Sequence, residues 1–360
     1  MGTLRTILAI AVVVYHSFTI FGLRLCGGQI AVESFFMISG FYMALILNEK
    51  YTGVGSYRKF LLSRFYRIFP VYWIVLVAAL LLSVIGYVWF NNAFYLTRFM
   101  SNKECLSFTT IGYFIFENLV IIGQDVLYFL RLDKWCNPKL TYYVLSYKHA
   151  GYQYLLVPQA WSISLELLFY SIAPFMVRKK WQWQVALITI AFGVKLVYAI
   201  QFNLSLDPWS YRFFPFEIGF FMLGSVAYQI YQQLKNKPIS PSIGYVLLVC
   251  CIVGVFTVDE IPLPVNFKNS LFYFLIFCSV PFIFKALKDN KIDRYIGELS
   301  FSIYISHHLI VSIFRMFFYN HIHWISYYGY SVVLASLVLA IVFQKTIIKP
   351  LELMRIKRFS

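Results

Sequence analysis

Residues 70–89 read PVYWIVLVAALLLSVIGYVW, twenty positions without a single charge. At 1.5 Å per residue such a helix matches a hydrocarbon core about 30 Å thick. Working outward, comparable apolar runs recur near 6–22, 29–47, 111–130, 155–176, 184–200, 214–231, 242–258, 270–286, 299–318 and 327–347. Hydrophobic residues make up 60% of the 360, charged residues 13%, and the mean hydropathy is +0.70. A soluble domain carries roughly a quarter charged residues, so that class is excluded. The expectation is an all-α integral membrane protein, one domain over residues 1–360. The first run starts at Ile7 behind only Arg5, and no small-x-small cleavage site follows. It therefore reads as a retained first helix rather than a leader.

Loop charge suggests which runs cross. Lys and Arg resist translocation and collect in cytoplasmic loops. Segment 48–68 carries Lys50, Arg58, Lys59, Arg64 and Arg67, and segment 177–183 carries Arg178, Lys179 and Lys180. Both read as inside, so an even number of crossings must separate them, yet three apolar runs lie between. The run 111–130 contains Glu117, Gln124 and Asp125 and is the weakest. It is expected to be re-entrant or interfacial, a state tolerated where protein shields the backbone. The result is about ten transmembrane helices with both termini cytoplasmic; 20 of the 31 Lys and Arg then fall inside and 9 outside. This bias accounts for the net charge of +16. No nucleic-acid partner is expected, because no basic stretch interleaves with polar helix faces.

Of six cysteines, Cys250, Cys251 and Cys278 lie in apolar runs, where thiols act as small hydrophobes. Cys105 and Cys136 alone could share a polar, oxidising segment. The cysteine spacing matches no metal pattern, and His321-x-His323 offers two ligands without an acidic third. No metal site is expected.

Ionisable groups inside spans are expensive, so each is a functional candidate. His16 stands eleven residues beyond Arg5, roughly 16 Å deeper. Glu33 enters at comparable depth on the next helix, and the two could form a base and its orienting carboxylate. The alternative is a structural His16 bound to a backbone carbonyl, with Glu33 protonated. Arg64 and Arg67, three apart, share a face and could hold phosphates, or serve as topology anchors. In Trp161-Ser-Ile-Ser-Leu-Glu166-Leu-Leu-Phe-Tyr170, Ser162, Glu166 and Tyr170 share one helix face. Glu166 demands a partner there. Arg212 and Glu217 flank the start of the run 214–231, and Tyr304, His307 and His308 lie in the run 299–318. Ion pairing and substrate contact are both open for Glu166, Arg212 and Glu217, while Tyr304 and His307, three apart, are neighbours on one face.

The order of these pieces is specific. Arg5-x10-His16, then GQIAVESFFMISGF over 28–41, then Arg64-x-x-Arg67-Ile-Phe-Pro70, then Trp161-Ser162-x3-Glu166-x-x-Phe169-Tyr170, then GELSFSIYISH over 297–307, resemble the acyltransferase-3 family of membrane O-acyltransferases. The resemblance spans residues 5 to about 350. Glu33 stands where that family commonly carries Asp. Some members append an extracytoplasmic domain; none is expected within residues 1–360.

The resemblance implies transfer of an acyl group, usually acetyl from acetyl-CoA, to a hydroxyl of lipopolysaccharide or another glycan beyond a bacterial cytoplasmic (inner) membrane. The donor would be a substrate, with no cofactor bound permanently; a glycan or lipid-linked glycan and the membrane lipids would be its other partners. His16 would be the base or a transient acyl carrier, Glu33 would orient it, and Arg5, Arg64 and Arg67 would hold coenzyme A. Trp161, Ser162, Glu166, Tyr170, Arg212, Tyr304 and His307 would bind substrate or support the site. Direct attack on the thioester and an acyl-histidine route both fit; the direct one is favoured, because an acylimidazole facing water hydrolyses easily. The rival class is a polytopic exporter of a lipid-linked sugar, against which stands the absence of an inverted repeat.

Overall fold

The structure, a computed structural model, describes residues 1–318 and 325–353. His321 and His323 lie outside the described residues. The fold is helical: α1 (Gly2–His16), α2 (Gly27–Glu49), α3 (Ser56–Phe90), α4 (Thr97–Ser101), α5 (Phe108–Val120), α6 (Trp161–Met176), α7 (Trp181–Gln201), α8 (Phe214–Leu234), α9 (Pro241–Thr257), α10 (Val265–Leu287), α11 (Lys291–Phe318) and α12 (Ile325–Phe343). Among the described residues, six helical segments are long and apolar enough to cross a membrane: α2, α3, α7, α10, 291–316 and 327–353. Helices α1 and α9 are apolar but shorter. The protein is thus an all-α membrane protein, and every run expected to cross holds a helix. The only strands among the described residues are a hairpin of Leu130–Leu132 with Pro138–Leu140.

The run 111–130 does not form one helix. Helix α5 stops after 13 residues, where Ile121 and Gly123 adopt positive φ. Side chains satisfy its broken end. Asn118 donates to Phe114 O and Tyr154 O and accepts from the Leu156 amide. Gln124 donates to Glu117 O and to the Tyr72 hydroxyl. Gln124, one of the polar residues that weakened this run as a span, and Asn118 thus let the chain turn inside protein. Nearby, Cys105 and Cys136 are joined by a disulfide.

Two ends of the bundle can be distinguished by their ties. At one, the Met1 amine meets Asp293 at 2.8 Å, and Arg178 donates to Leu47 O and Tyr51 O. Gln232 there donates to Glu49, Lys285 to Leu234 O, and Gln344 to Glu298. The loops read as inside up to 285–296 are all represented, and Gln344 stands next to 345–360. At the other end, Trp209 donates to Tyr142 O, Lys268 pairs with Asp259, and the Phe21 amide reaches Tyr330. Helices α1 and α11 run parallel, with Thr6 donating to Ile296 O near one end and His16 beside His307 and His308 near the other.

Without a hydrophobic force between helices in lipid, close approach comes from small residues. A Cβ on Gly40 would fall 1.9 Å from Phe221 O, and one on Gly224 1.8 Å from Met37 O. These backbones seat α2 directly on α8. Gly224→Val should therefore cost at least the 1–3 kcal/mol typical of overpacking and lower the melting temperature in detergent. Gly193→Ala on α7, where a Cβ meets nothing within 4 Å, should leave it nearly unchanged. Equal melting of both variants would contradict this packing.

Candidate active site

Helices α1, α2, α3, α6 and α11 enclose a cavity of about 420 Å³, within the size range of ligand pockets. Arg5, Arg64 and Arg67 all line it, together with Lys288 and Arg294. Two helices, α1 with Arg5 and α3 with Arg64 and Arg67, thus deliver the three arginines to one space. Arg5 lies over the Tyr42 ring at 5.8 Å, and Arg64 over Phe60 at 5.9 Å. Guanidiniums suit such a place, being weakly hydrated and able to grip phosphate oxygens in pairs.

Across the cavity stands α6. Glu166 accepts from the hydroxyls of Ser39 and Tyr170, so its expected partner is a pair of hydroxyls rather than a cation. Ser162 meets the Tyr304 hydroxyl at 2.6 Å. Tyr304 also donates to Gln159 O, and Gln159 in turn donates to Ile305 O. Ser162, Glu166, Tyr170 and Tyr304 all line the cavity. Trp161 does not; it packs with Tyr128 and Tyr211 around Arg212, whose guanidinium lies 4.0–4.6 Å from the three rings. Arg212 grips Asp207 with two hydrogen bonds of 2.6 and 2.9 Å. The Arg212 group is therefore a wall beside the site.

Beyond Tyr304 lie three imidazoles. The rings of His16 and His307 are 5.2 Å apart, His16 and His308 4.4 Å, and His307 and His308 4.7 Å. The Tyr304 ring is 5.7 Å from that of His307. His307 is fully buried, whereas His16 and His308 are half-buried. Of these, His16 is the imidazole at the C-terminal end of α1, where the helix leaves the packed interior.

Glu33 requires a correction. It makes no hydrogen bond or ion pair with His16. Its carboxylate accepts from the Tyr273 hydroxyl, from Gln29 at 3.2 Å and from Lys195 at 3.4 Å. Lys195 also bonds Glu217 at 3.0 Å. Equal depth on adjacent helices did not mean a shared face: α2 turns Glu33 toward α7, α8 and α10, while α1 turns His16 toward α11. A single ammonium thus serves two buried carboxylates.

Sequence reasoning passed over Ser39, Tyr42, Gln159, Lys195 and Tyr273, and gave His308 no role. Lys195 carried a usable signal, since a lone cation within a span needs an acid. The hydroxyls and amides carried none.

Comparison with known proteins agrees with the motif order. The acyltransferase-3 model, described as an acyltransferase domain, matches residues 2–345. Proteins from three strains of Staphylococcus aureus, each provisionally named an O-acetyltransferase, are 21% identical over 347 residues, covering 88% of this chain. The chain spans about half the length of these relatives, 51%. No solved structure matches.

The shared ammonium generates a test. Lys195→Met leaves two buried carboxylates without a cation and should cost about 3–5 kcal/mol, the usual effect of breaking a buried pair. Adding Glu217→Gln should recover part of that loss in a thermal melt. A double variant no more stable than Lys195→Met would refute the coupling.

Proposed function

This chain belongs to the acyltransferase-3 family, and from that premise we propose that it carries an acyl group, acetyl in the first instance, from cytoplasmic acyl-CoA to a glycan hydroxyl outside a bacterial cytoplasmic membrane. The observation that carries this reading is one cavity lined by Arg5, Arg64 and Arg67 and also by Tyr304, which stands against the cluster holding His16. A donor with phosphates at one end and a thioester at the other fits that polarity.

The topology proposed is ten crossings (α1, α2, α3, α6 to α12), with both termini inside and α5 not crossing. Three features support it. Loops rich in Lys and Arg are tied together at one end of the bundle. Parallel α1 and α11 require an odd number of crossings between them, and α2, α3 and α6 to α10 are seven. The Cys105–Cys136 disulfide fits an oxidising outer face.

In the direct scheme His16 takes the proton from the glycan hydroxyl as its oxygen attacks the thioester carbonyl. The carbon–sulfur bond breaks, and the coenzyme A thiolate leaves and regains a proton. Glu33 supports this only through the scaffold, since Lys195 and Tyr273 hold its carboxylate. The acceptor is a surface polysaccharide such as a lipopolysaccharide O-antigen, free or lipid-linked.

Membranes given labelled acetyl-CoA and candidate glycans should form labelled ester. His16→Ala should lower the rate by about 10²–10⁴-fold, the usual contribution of a general base, while the protein still accumulates. Near-normal turnover in that variant would reduce His16 to a structural role. Glycan movement without covalent label would instead identify an exporter. Arg64→Ala and Arg67→Ala should raise the apparent KM for acetyl-CoA more than they lower kcat; unchanged KM in both would remove the phosphate assignment.

A further inference from the structure

The three imidazoles at the head of the cavity have a second use. One ring nitrogen from each of His16, His307 and His308 lies within 4.8 Å of the other two. A tetrahedral ion with metal–nitrogen bonds of about 2.0–2.1 Å places its ligands roughly 3.4 Å apart. Small side-chain rotations would close that difference, and the half-buried His16 and His308 have room for them.

The hydrogen bonding of His307 points the same way. Its Nδ1 sits 2.5 Å from Tyr304 O, so Nδ1 carries the proton and donates. Nε2 then keeps its lone pair, and it is buried without a hydrogen-bond partner among the described residues. A fully buried acceptor left unpaired is costly. An imidazole fixed by a backbone carbonyl on one nitrogen, with the other nitrogen free, is the arrangement that metal-binding histidines adopt.

We infer that His16, His307 and His308 form a three-histidine site for a divalent ion of the zinc type. The ligand set decides the class of ion. Imidazole suits zinc, copper, nickel and cobalt, whereas magnesium and calcium need oxygen ligands, and no carboxylate belongs to the cluster. Three protein ligands leave a fourth position for water. The route in is from the half-buried side, past His16 and His308. Because the ion would occupy the ring nitrogen of the proposed base, its binding inhibits acyl transfer; this consequence, unlike the site itself, rests on the function proposed above.

The test uses the full chain purified in detergent, stripped with chelator and titrated with cobalt(II), then with zinc as competitor. One cobalt per chain should bind, with the visible absorption of a four-coordinate ion, and zinc should displace it. His307→Gln and His308→Gln should each weaken binding at least tenfold, as loss of a ligand costs no less than loss of its supporting partner. Melting curves of both variants check that they fold, and the unaltered chain alone already decides whether an ion binds. Absence of that absorption, or its survival in both variants, overturns the site, as does its loss on replacing His321 and His323 instead. In parallel, zinc should inhibit labelled acetyl transfer. The midpoint should shift at least tenfold in His308→Gln, measured against that variant's own rate. Cobalt binding with transfer insensitive to zinc would confirm the site and overturn His16 as the base.

Discussion

The carboxylate of Asp293 accepts from the Met1 amine, the Gly2 and Thr3 amides and the Thr3 hydroxyl, each at 2.8 Å. The first turn of any helix leaves amide donors unsatisfied, and in a membrane protein there is little water to take them. Here another helix supplies the cap, and that choice sets the register of α1 against α11. Gly2 and Gly297 let the backbones touch; a Cβ on Gly297 would fall 2.5 Å from Gly2 Cα. With register and direction fixed at one end, parallel helices carry the match along their length. His16 arrives beside His307 and His308 because Gly2 is held against Asp293. Arg5 turns into the cavity for the same reason.

A second constraint holds the opposite flank. Glu33, Lys195, Glu217 and Tyr273 come from four different helices, α2, α7, α8 and α10, and meet at one buried point. Replacing such clusters by apolar side chains is often neutral or stabilising, so their presence argues for a role in specifying arrangement. Apolar helices in lipid can slide or rotate at little cost. A single ammonium that must reach two carboxylates allows one rotation of each helix. Backbone contact at Gly40 and Gly224 fixes the spacing, and the cluster fixes the azimuth. Cavity and histidines thus lie between two flanks that are separately locked.

This division explains what could be read from residues alone. Hydropathy and loop charge report position along the membrane normal, and the hydropathy half of that reading meets the structure directly. Helices form where the apolar runs lie, α5 breaks where Glu117, Gln124 and Asp125 interrupt the run, and Cys105 joins Cys136. Motif order brought Arg5, Arg64 and Arg67 into one cavity with Ser162, Glu166 and Tyr170. Azimuth has no such one-dimensional signature. Glu33 was matched to His16 by depth, but the face it occupies is set by Lys195, 162 residues further on. Arg212 was open between substrate and ion pair because Asp207 and the rings of Tyr128 and Trp161 converge only in three dimensions. His308 was named beside His307 without a role, and adjacent residues on a helix project about 100° apart, which argues against a shared site. The close approach of α1, carrying a third ring between them, overcomes that angle.

On the proposed function, the position of His16 also bears on how a water-labile thioester is kept apart from an outer aqueous phase. The arginine-lined cavity and the histidine cluster are separated by Tyr304, whose hydroxyl is held by Ser162 and Gln159 and whose carbonyl holds His307. Tyr304 thus touches both compartments through different atoms. His307 is sealed inside, while His16 and His308 retain partial exposure on the far side. On the proposed function, the thioester approaches from the cavity side and the glycan from the exposed side, with imidazole at the boundary. Water that reached His16 freely would compete for the acyl group, so the barrier matters as much as the base. Hydrogen bonds among Tyr304, Ser162, Gln159 and Ile305 tie that barrier together, so opening it to water means breaking them together.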